Sequence, residues 1–305
     1  MPAKNKIMIL GCGGMLGEAF YNTFKGNYDI RASDIDVNES WLTELDVRNY
    51  DAIRQDALKF KPEFIINLAA YTDLEFCENN PEETFLTNTN GAENGARISE
   101  EMGSTYVFIS TAGIFDGNKD IYDDHDIPSP LSVYGKSKHR AELLIKDICT
   151  KYFIFRAGWM MGGGQKDKKF VHKIIKQLLA GKKELHVLND LKGSPTYTYD
   201  FAENTKEMIA TKFYGLYNMT CEGGPSRYEV AAEMLKIFDL QDRIELVEVK
   251  SDFFSEEYFA PRPESEVLDN LKLKTINLDK MRAWDLSLKE YLEKDWAQIV
   301  KEKVS

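Results

Sequence analysis

Lys6-Ile7-Met8-Ile9-Leu10-Gly11-Cys12-Gly13-Gly14-Met15-Leu16-Gly17 decides how the rest of the chain is read. The apolar run Ile7–Leu10 predicts a buried strand, and Ala19, Phe20 and Phe24 recur at helical spacing beyond it. Between them the glycines at 11, 14 and 17 stand three residues apart. A strand, a glycine turn and a helix in that order make a dinucleotide-binding signature. Glycine permits the tight turn, and a pyrophosphate can then sit on the positive end of the helix. Gly11, Gly14, Met15, Leu16 and Gly17 are therefore candidate cofactor contacts.

Outward from this turn the chain alternates strand and helix. Tyr28–Ala32 predicts a second strand that ends at Ser33-Asp34-Ile35-Asp36. A carboxylate about twenty residues after the glycine turn can accept from ribose hydroxyls, and it repels a 2′-phosphate. Asp34 thus favours NADH over NADPH, and Arg31 is the only cation nearby in sequence. Asp46 and Val47, ahead of a helix over Tyr50–Phe60, are placed to touch the adenine, although Asp46 could equally cap that helix. The strand beginning at Phe64 ends in Leu68, Ala69 and Ala70, small enough at its tip for a cofactor to pass closely. A helix is expected over Pro81–Met102, with Asn88 inside it either making a specific hydrogen bond or exposed.

The strand Tyr106–Ile109 releases Ser110 and Thr111 at its carboxyl end, the edge where ligands bind in open α/β sheets. Some two dozen residues later Tyr134 and Lys138 are i, i+4 neighbours on a helix. A tyrosine, a lysine one turn on and a strand-end hydroxyl can together move a proton to or from a carbonyl oxygen. A second Tyr-x-x-x-Lys, Tyr21–Lys25, lacks such a hydroxyl partner. The strand Tyr152–Arg156 completes the alternation, so the fold class is α/β, a Rossmann-type doubly wound parallel sheet.

After Gly163 the rhythm breaks. A basic amphipathic helix over Lys166–Leu179, a polar turn at 190–198 and a short β run at 244–249 follow. Residues 1–163, with 197–222 returning to the sheet, should form the dinucleotide-binding domain. Residues 164–196 and 223–305 should form a small substrate-binding domain, with the cleft between the two.

Composition narrows the function. The net charge of −11 over 305 residues argues against nucleic-acid binding. The four cysteines form no Cys-x-x-Cys pair, the four histidines are dispersed, and no metal site is suggested. No apolar run approaches the length of a membrane span, so a cytoplasmic protein with reduced thiols is expected. Whether it forms a homodimer stays open.

As an ordered set, these segments resemble the extended short-chain dehydrogenase/reductase superfamily, and within it the dTDP-4-dehydrorhamnose reductases. The set comprises the glycine turn, N-L-A-A-Y-T at 67–72, S-T at 110–111 with F-D-G at 115–117, and Tyr134/Lys138. It continues with R-A-G-W at 156–159, G-S-P-T at 193–196 and A-P-R-P at 260–263. The resemblance implies NAD(P)H-dependent reduction of a 4-keto sugar nucleotide in dTDP-L-rhamnose synthesis. It makes Thr111, Tyr134 and Lys138 catalytic, with Tyr134 and Lys138 also touching the cofactor. It places Thr72, Thr111, Trp159, Ser194 and Arg262 beside the nucleotide-sugar, Arg262 as a diphosphate clamp, with a surface salt bridge as its other reading. Two departures stand out: Ala112-Gly113 where the reductases carry Asp-Tyr, and Glu266 where they carry serine. Rival readings are a sugar-nucleotide epimerase and a non-catalytic dinucleotide-binding partner like the regulatory β-subunit of methionine adenosyltransferase.

Overall fold

Successive side chains of the strand Asn5–Leu10 (β1) enter two different cores, the result of the two-residue period of a strand covered on both faces. Ile7 and Ile9 join Phe20, Phe24, Phe155 and Phe201 on one side. Met8 and Leu10 join Ile53, Ala96, Phe108 and Ile145 on the other. The computed structural model describes residues 4–304.

The sheet is built from β1, Tyr28–Asp34 (β2), Leu42–Glu44 (β3), Phe64–Asn67 (β4), Thr105–Thr111 (β5) and Tyr152–Ala157 (β6). Its order is β3-β2-β1-β4-β5-β6, with Gly215–Asn218 added as a seventh strand beyond β6, and every pairing is parallel. The order reverses direction between β1 and β4, which opens a crevice at the carboxyl edge there. Helices Gly17–Phe24 (α1) and Tyr50–Phe60 (α2) cover opposite faces.

Next come Leu74–Asn79 (α3), Pro81–Phe85 (α4) and Gly91–Met102 (α5). The single helix expected over 81–102 is interrupted by a π turn, Leu86–Asn90, between α4 and α5. Val133–Ile148 (α6) follows β5. The helix expected from Lys166 begins at Phe170 instead and runs to Leu179 (α7). Asp167, which accepts from the Lys169 amide and the Tyr291 hydroxyl, holds a turn ahead of it.

Thr198–Ile209 (α8) returns to the sheet and packs on α1. A third apolar core, including Ile174, Leu185, Met234, Leu288 and Trp296, belongs to the later chain. There Glu184–Leu188 pairs in parallel with Glu245–Val249. All four cysteines are buried, and burial pushes the Cys12, Cys149 and Cys221 thiols up to about 12. No described helix is long and apolar enough to cross a membrane.

Candidate active site

Thr111 is the last residue of β5, and its hydroxyl accepts from the Gly113 amide at 3.1 Å. α6 starts behind Ser132, whose hydroxyl accepts from the Gly135 amide at 3.1 Å, while Glu78 accepts from the Val133 amide at 2.7 Å. The helix lies so close to the turn Ala112–Ile114 that a Cβ on Gly135 would collide with the Gly113 carbonyl. This contact sets the neighbouring Tyr134 beside Thr111. Burial pushes the phenol well above its ordinary value; the Thr111 hydroxyl opposes that, and the Glu266 carboxylate adds to it. At neutral pH Tyr134 therefore keeps its proton.

Lys138 lies one turn on, 3% exposed, with Nζ 3.9 Å from the Phe108 ring centroid. Burial lowers it from an ordinary 10.5 to about 7, against the pull of Glu142. Among the described residues its ammonium makes no hydrogen bond. Behind it Glu142 takes a two-pronged contact from Arg156, Nε at 3.0 Å and Nη2 at 2.8 Å, with both side chains buried. Burial alone would raise the Glu142 carboxyl, but His139, with Nδ1 3.9 Å away, and the bonds from Arg156 hold it down at about 2. The sequence reading missed this pair. The i, i+4 spacing of Lys138 and Glu142 was its available signal.

The cofactor residues converge on the edge above β1 and β4. Gly11 has φ +73, a left-handed conformation, and a Cβ there would collide with Ala69. Gly17 lies equally tight on the Cys12 carbonyl, whereas Gly14 is exposed at the crest of the turn. The Met15 carbonyl faces Gly163, and half-buried Leu16 packs on the core of α1. Asp34 closes the turn from beneath, accepting from the Gly13 amide at 2.8 Å and the Asp36 amide at 3.0 Å. Leu68 donates to the Leu10 carbonyl at 2.8 Å, Ala69 to the Asn67 side chain at 2.9 Å, and Ala70 follows half-buried.

Asp46 does not cap α2; Asn49 does, accepting from Ala52 at 3.1 Å. Asp46 instead holds Arg48, with Nη2 2.7 Å away, and that bond keeps its carboxyl below the usual range. Val47 is buried against Gly91. The π turn aims Asn88 at Tyr71, accepting from its amide at 2.8 Å and donating to its carbonyl at 2.9 Å, and Asn88 also donates to Ser137. The loop 70–72 is thereby tied to α6, as the expected specific bond requires.

On the substrate side, Thr72 accepts from Lys169 Nζ through its carbonyl at 2.8 Å and its hydroxyl at 2.9 Å. Trp159 donates from Nε1 to Glu266 at 2.7 Å. Two expected substrate contacts are already engaged within the protein. Ser194 is fully buried: its hydroxyl donates to Gly223 O at 3.2 Å and accepts from Leu268 N at 3.1 Å, so it fastens loops. Arg262 is held by Glu75 at 2.7 Å and donates to the Ala260 carbonyl at 2.9 Å. Its guanidinium therefore stands in a salt bridge in this structure. A guanidinium with donors to spare is that of Arg227, 5.2 Å over the Trp159 ring, whose buried Nε has no partner. The sequence reading did not single it out.

Residues 5–296 match the RmlD substrate binding domain family. The chain belongs to that family. Its relatives include the spore coat polysaccharide biosynthesis protein SpsK of Bacillus subtilis, 31% identical over 94% of this chain and 97% of that one. The dTDP-4-dehydrorhamnose reductase of Aggregatibacter actinomycetemcomitans is also 31% identical, over 93% of this chain and 97% of its own. The crystal structure of the Bacillus anthracis dTDP-4-dehydrorhamnose reductase in complex with NADP superposes with a TM-score of 0.88. It is 28% identical and covers 95% of this chain and 99% of its own. The family resemblance read from the ordered motifs is thus borne out, as is the α/β parallel sheet.

Proposed function

We propose that this protein reduces the keto group of a 4-keto sugar nucleotide, acting as a dTDP-4-dehydrorhamnose reductase-like oxidoreductase. The observation that carries the reading is the seating of the Tyr134 phenol against the Thr111 hydroxyl, with the unpartnered Lys138 ammonium one helical turn away.

A nicotinamide dinucleotide fits the residues present: the bare glycine turn leaves backbone room for a pyrophosphate, and Lys138 offers donors to ribose hydroxyls. When bound, that cofactor supplies the hydride taken up by the keto carbon. Thr111 hydrogen-bonds the keto oxygen and Tyr134 gives it a proton, so the product is the secondary alcohol. Lys138, close to its titration point, stabilises the phenolate left behind and helps it regain a proton. Trp159 walls the sugar, Thr72 lines the cleft, and Arg227 takes the diphosphate role.

NADH is the favoured donor in this reading. Asp34 ends β2 where a 2′-phosphate would lie, Arg31 is turned to Asp56 at 2.9 Å, and Lys166 is engaged by Glu39 at 2.9 Å. Residues 1–163 with 197–222 carry the cofactor, and residues 164–196 with 223–305 close over the sugar.

The test is NADH and NADPH oxidation at matched concentration with enzymatically prepared dTDP-4-keto-6-deoxy sugar, including its 3,5-epimerised form. Consumption giving dTDP-rhamnose supports the reading. Cofactor binding without turnover on any keto sugar would replace it with the non-catalytic partner, and tighter NADPH binding would overturn the cofactor preference.

A further inference from the structure

The Glu266 carboxylate enters the cleft with one oxygen fixed and the other unused. Trp159 Nε1 donates to Oε2 at 2.7 Å. Oε1 lies 3.3 Å from the point that a Cβ on Gly113 would occupy, and Thr111 Oγ1 lies 3.5 Å from the same point. The gap between the hydroxyl that meets the keto oxygen and this carboxylate oxygen thus exists because residue 113 has no side chain. Of the cations around it, Arg227 lies over the Trp159 ring and, among the described residues, forms no ion pair with the carboxylate. Arg262 is spent on Glu75 and Lys169 on Thr72. Among the described residues Oε1 accepts no hydrogen bond. Oε1 therefore stays open to a donor that enters the cleft.

We infer that Glu266, framed by Gly113, is a specificity-determining acceptor for a hydrogen-bond-donating substituent, hydroxyl or ammonium, on a carbon flanking the sugar carbonyl. This rests on the reductase reading for the placement of that carbonyl at Thr111 and Tyr134. Hydrogen bonds of about 2.8 Å from Thr111 Oγ1 and Glu266 Oε1 can then engage neighbouring positions of one sugar ring. A site built around such an acceptor rejects the analogue that lacks the donor, because its buried acceptor is left unpaired. Burial raises the Glu266 carboxyl, with the Trp159 bond and Arg227 opposing; in its ionised form it further favours ammonium over hydroxyl.

Calorimetric titration of the protein with oxidised cofactor tests this, using dTDP-linked 4-hydroxy sugars that carry hydroxyl, amino or hydrogen at each flanking carbon in turn. The expected result is a preference of about a hundredfold for the donor-bearing sugar at one of the two carbons. Glu266→Ser should shrink it to within about threefold with cofactor affinity intact. Glu266→Gln, whose amide oxygen stays with Trp159 and whose NH2 then faces the sugar, should still hold a hydroxyl by donating to it and should lose the ammonium advantage, since two donors cannot pair. Should the serine variant misfold, the glutamine variant decides. Equal affinity across each set, no measurable binding of any member, or an unchanged preference in both variants would overturn the inference. Because the readout is binding, discrimination without reduction of any keto sugar would sink the reductase reading alone.

Discussion

Burial costs Lys138 its charge over a wide pH range. The folded protein releases this proton near pH 7, whereas the unfolded chain holds it until about 10.5. Between those values the unfolded state binds more protons, so the contribution of Lys138 to stability rises with pH and is worst below 7. Lys138→Met should therefore raise the melting temperature of the cofactor-free protein more at pH 6 than at pH 9, while weakening NADH binding by about tenfold or more. Equal gains at both pH values would argue against the burial account. Tyr134→Phe should lower turnover by about 10² or more with the cofactor dissociation constant little changed, since it removes the proton donor alone. These two residues were legible because i, i+4 spacing survives in sequence. The pairing of Glu142 with Arg156 was not, because Arg156 reaches it only once β6 lies beside β5. The partner of Arg262 was hidden for a similar reason: nothing near it in sequence announces Glu75.

At the scale of elements, α6 matters most, since it bears Tyr134 and Lys138 and is seated by contacts at its first turn. Gly135→Ala would push that turn off the Gly113 carbonyl. It should reduce kcat by about tenfold or more, because misplacement by an ångström is enough to lose that much. Unchanged kcat would show that the seat is not needed. Glu142→Gln removes the countercharge of a buried guanidinium and should destabilise by about 3–5 kcal/mol, readable as a lower urea midpoint. Strands and helices around the sheet were legible from apolar periodicity. The π turn at 86–90 was not, because one extra residue in a helix leaves its composition ordinary. Asn88, an amide amid apolar helix positions, was the single mark it left in the sequence.

Over the whole molecule, the switch of strand order at β1 and β4 gathers residues from distant segments onto one edge. That gathering was legible as alternating elements. What was not legible was which polar side chains meet across the cleft, because Trp159 and Glu266 approach only after the later chain folds back. Cofactor at a hundred times its dissociation constant should stabilise the fold by about 2.7 kcal/mol, seen as a concentration-dependent rise in melting temperature. Absence of any rise with NADH or NADPH would contradict the assignment of the glycine turn.

The buried thiols carry a separate consequence. Cys12 sits in the core beneath the glycine turn, Cys149 in the core across the sheet, and Cys221 in the core of the later chain. With thiols held near 12, none offers much thiolate to an alkylating reagent until its surroundings open. Alkylation rates at the three sites are therefore three independent clocks for breathing of the molecule, with no added probe. Saturating NADH should slow the Cys12 clock by about tenfold and leave Cys221 nearly as before, until a nucleotide-sugar slows that one too.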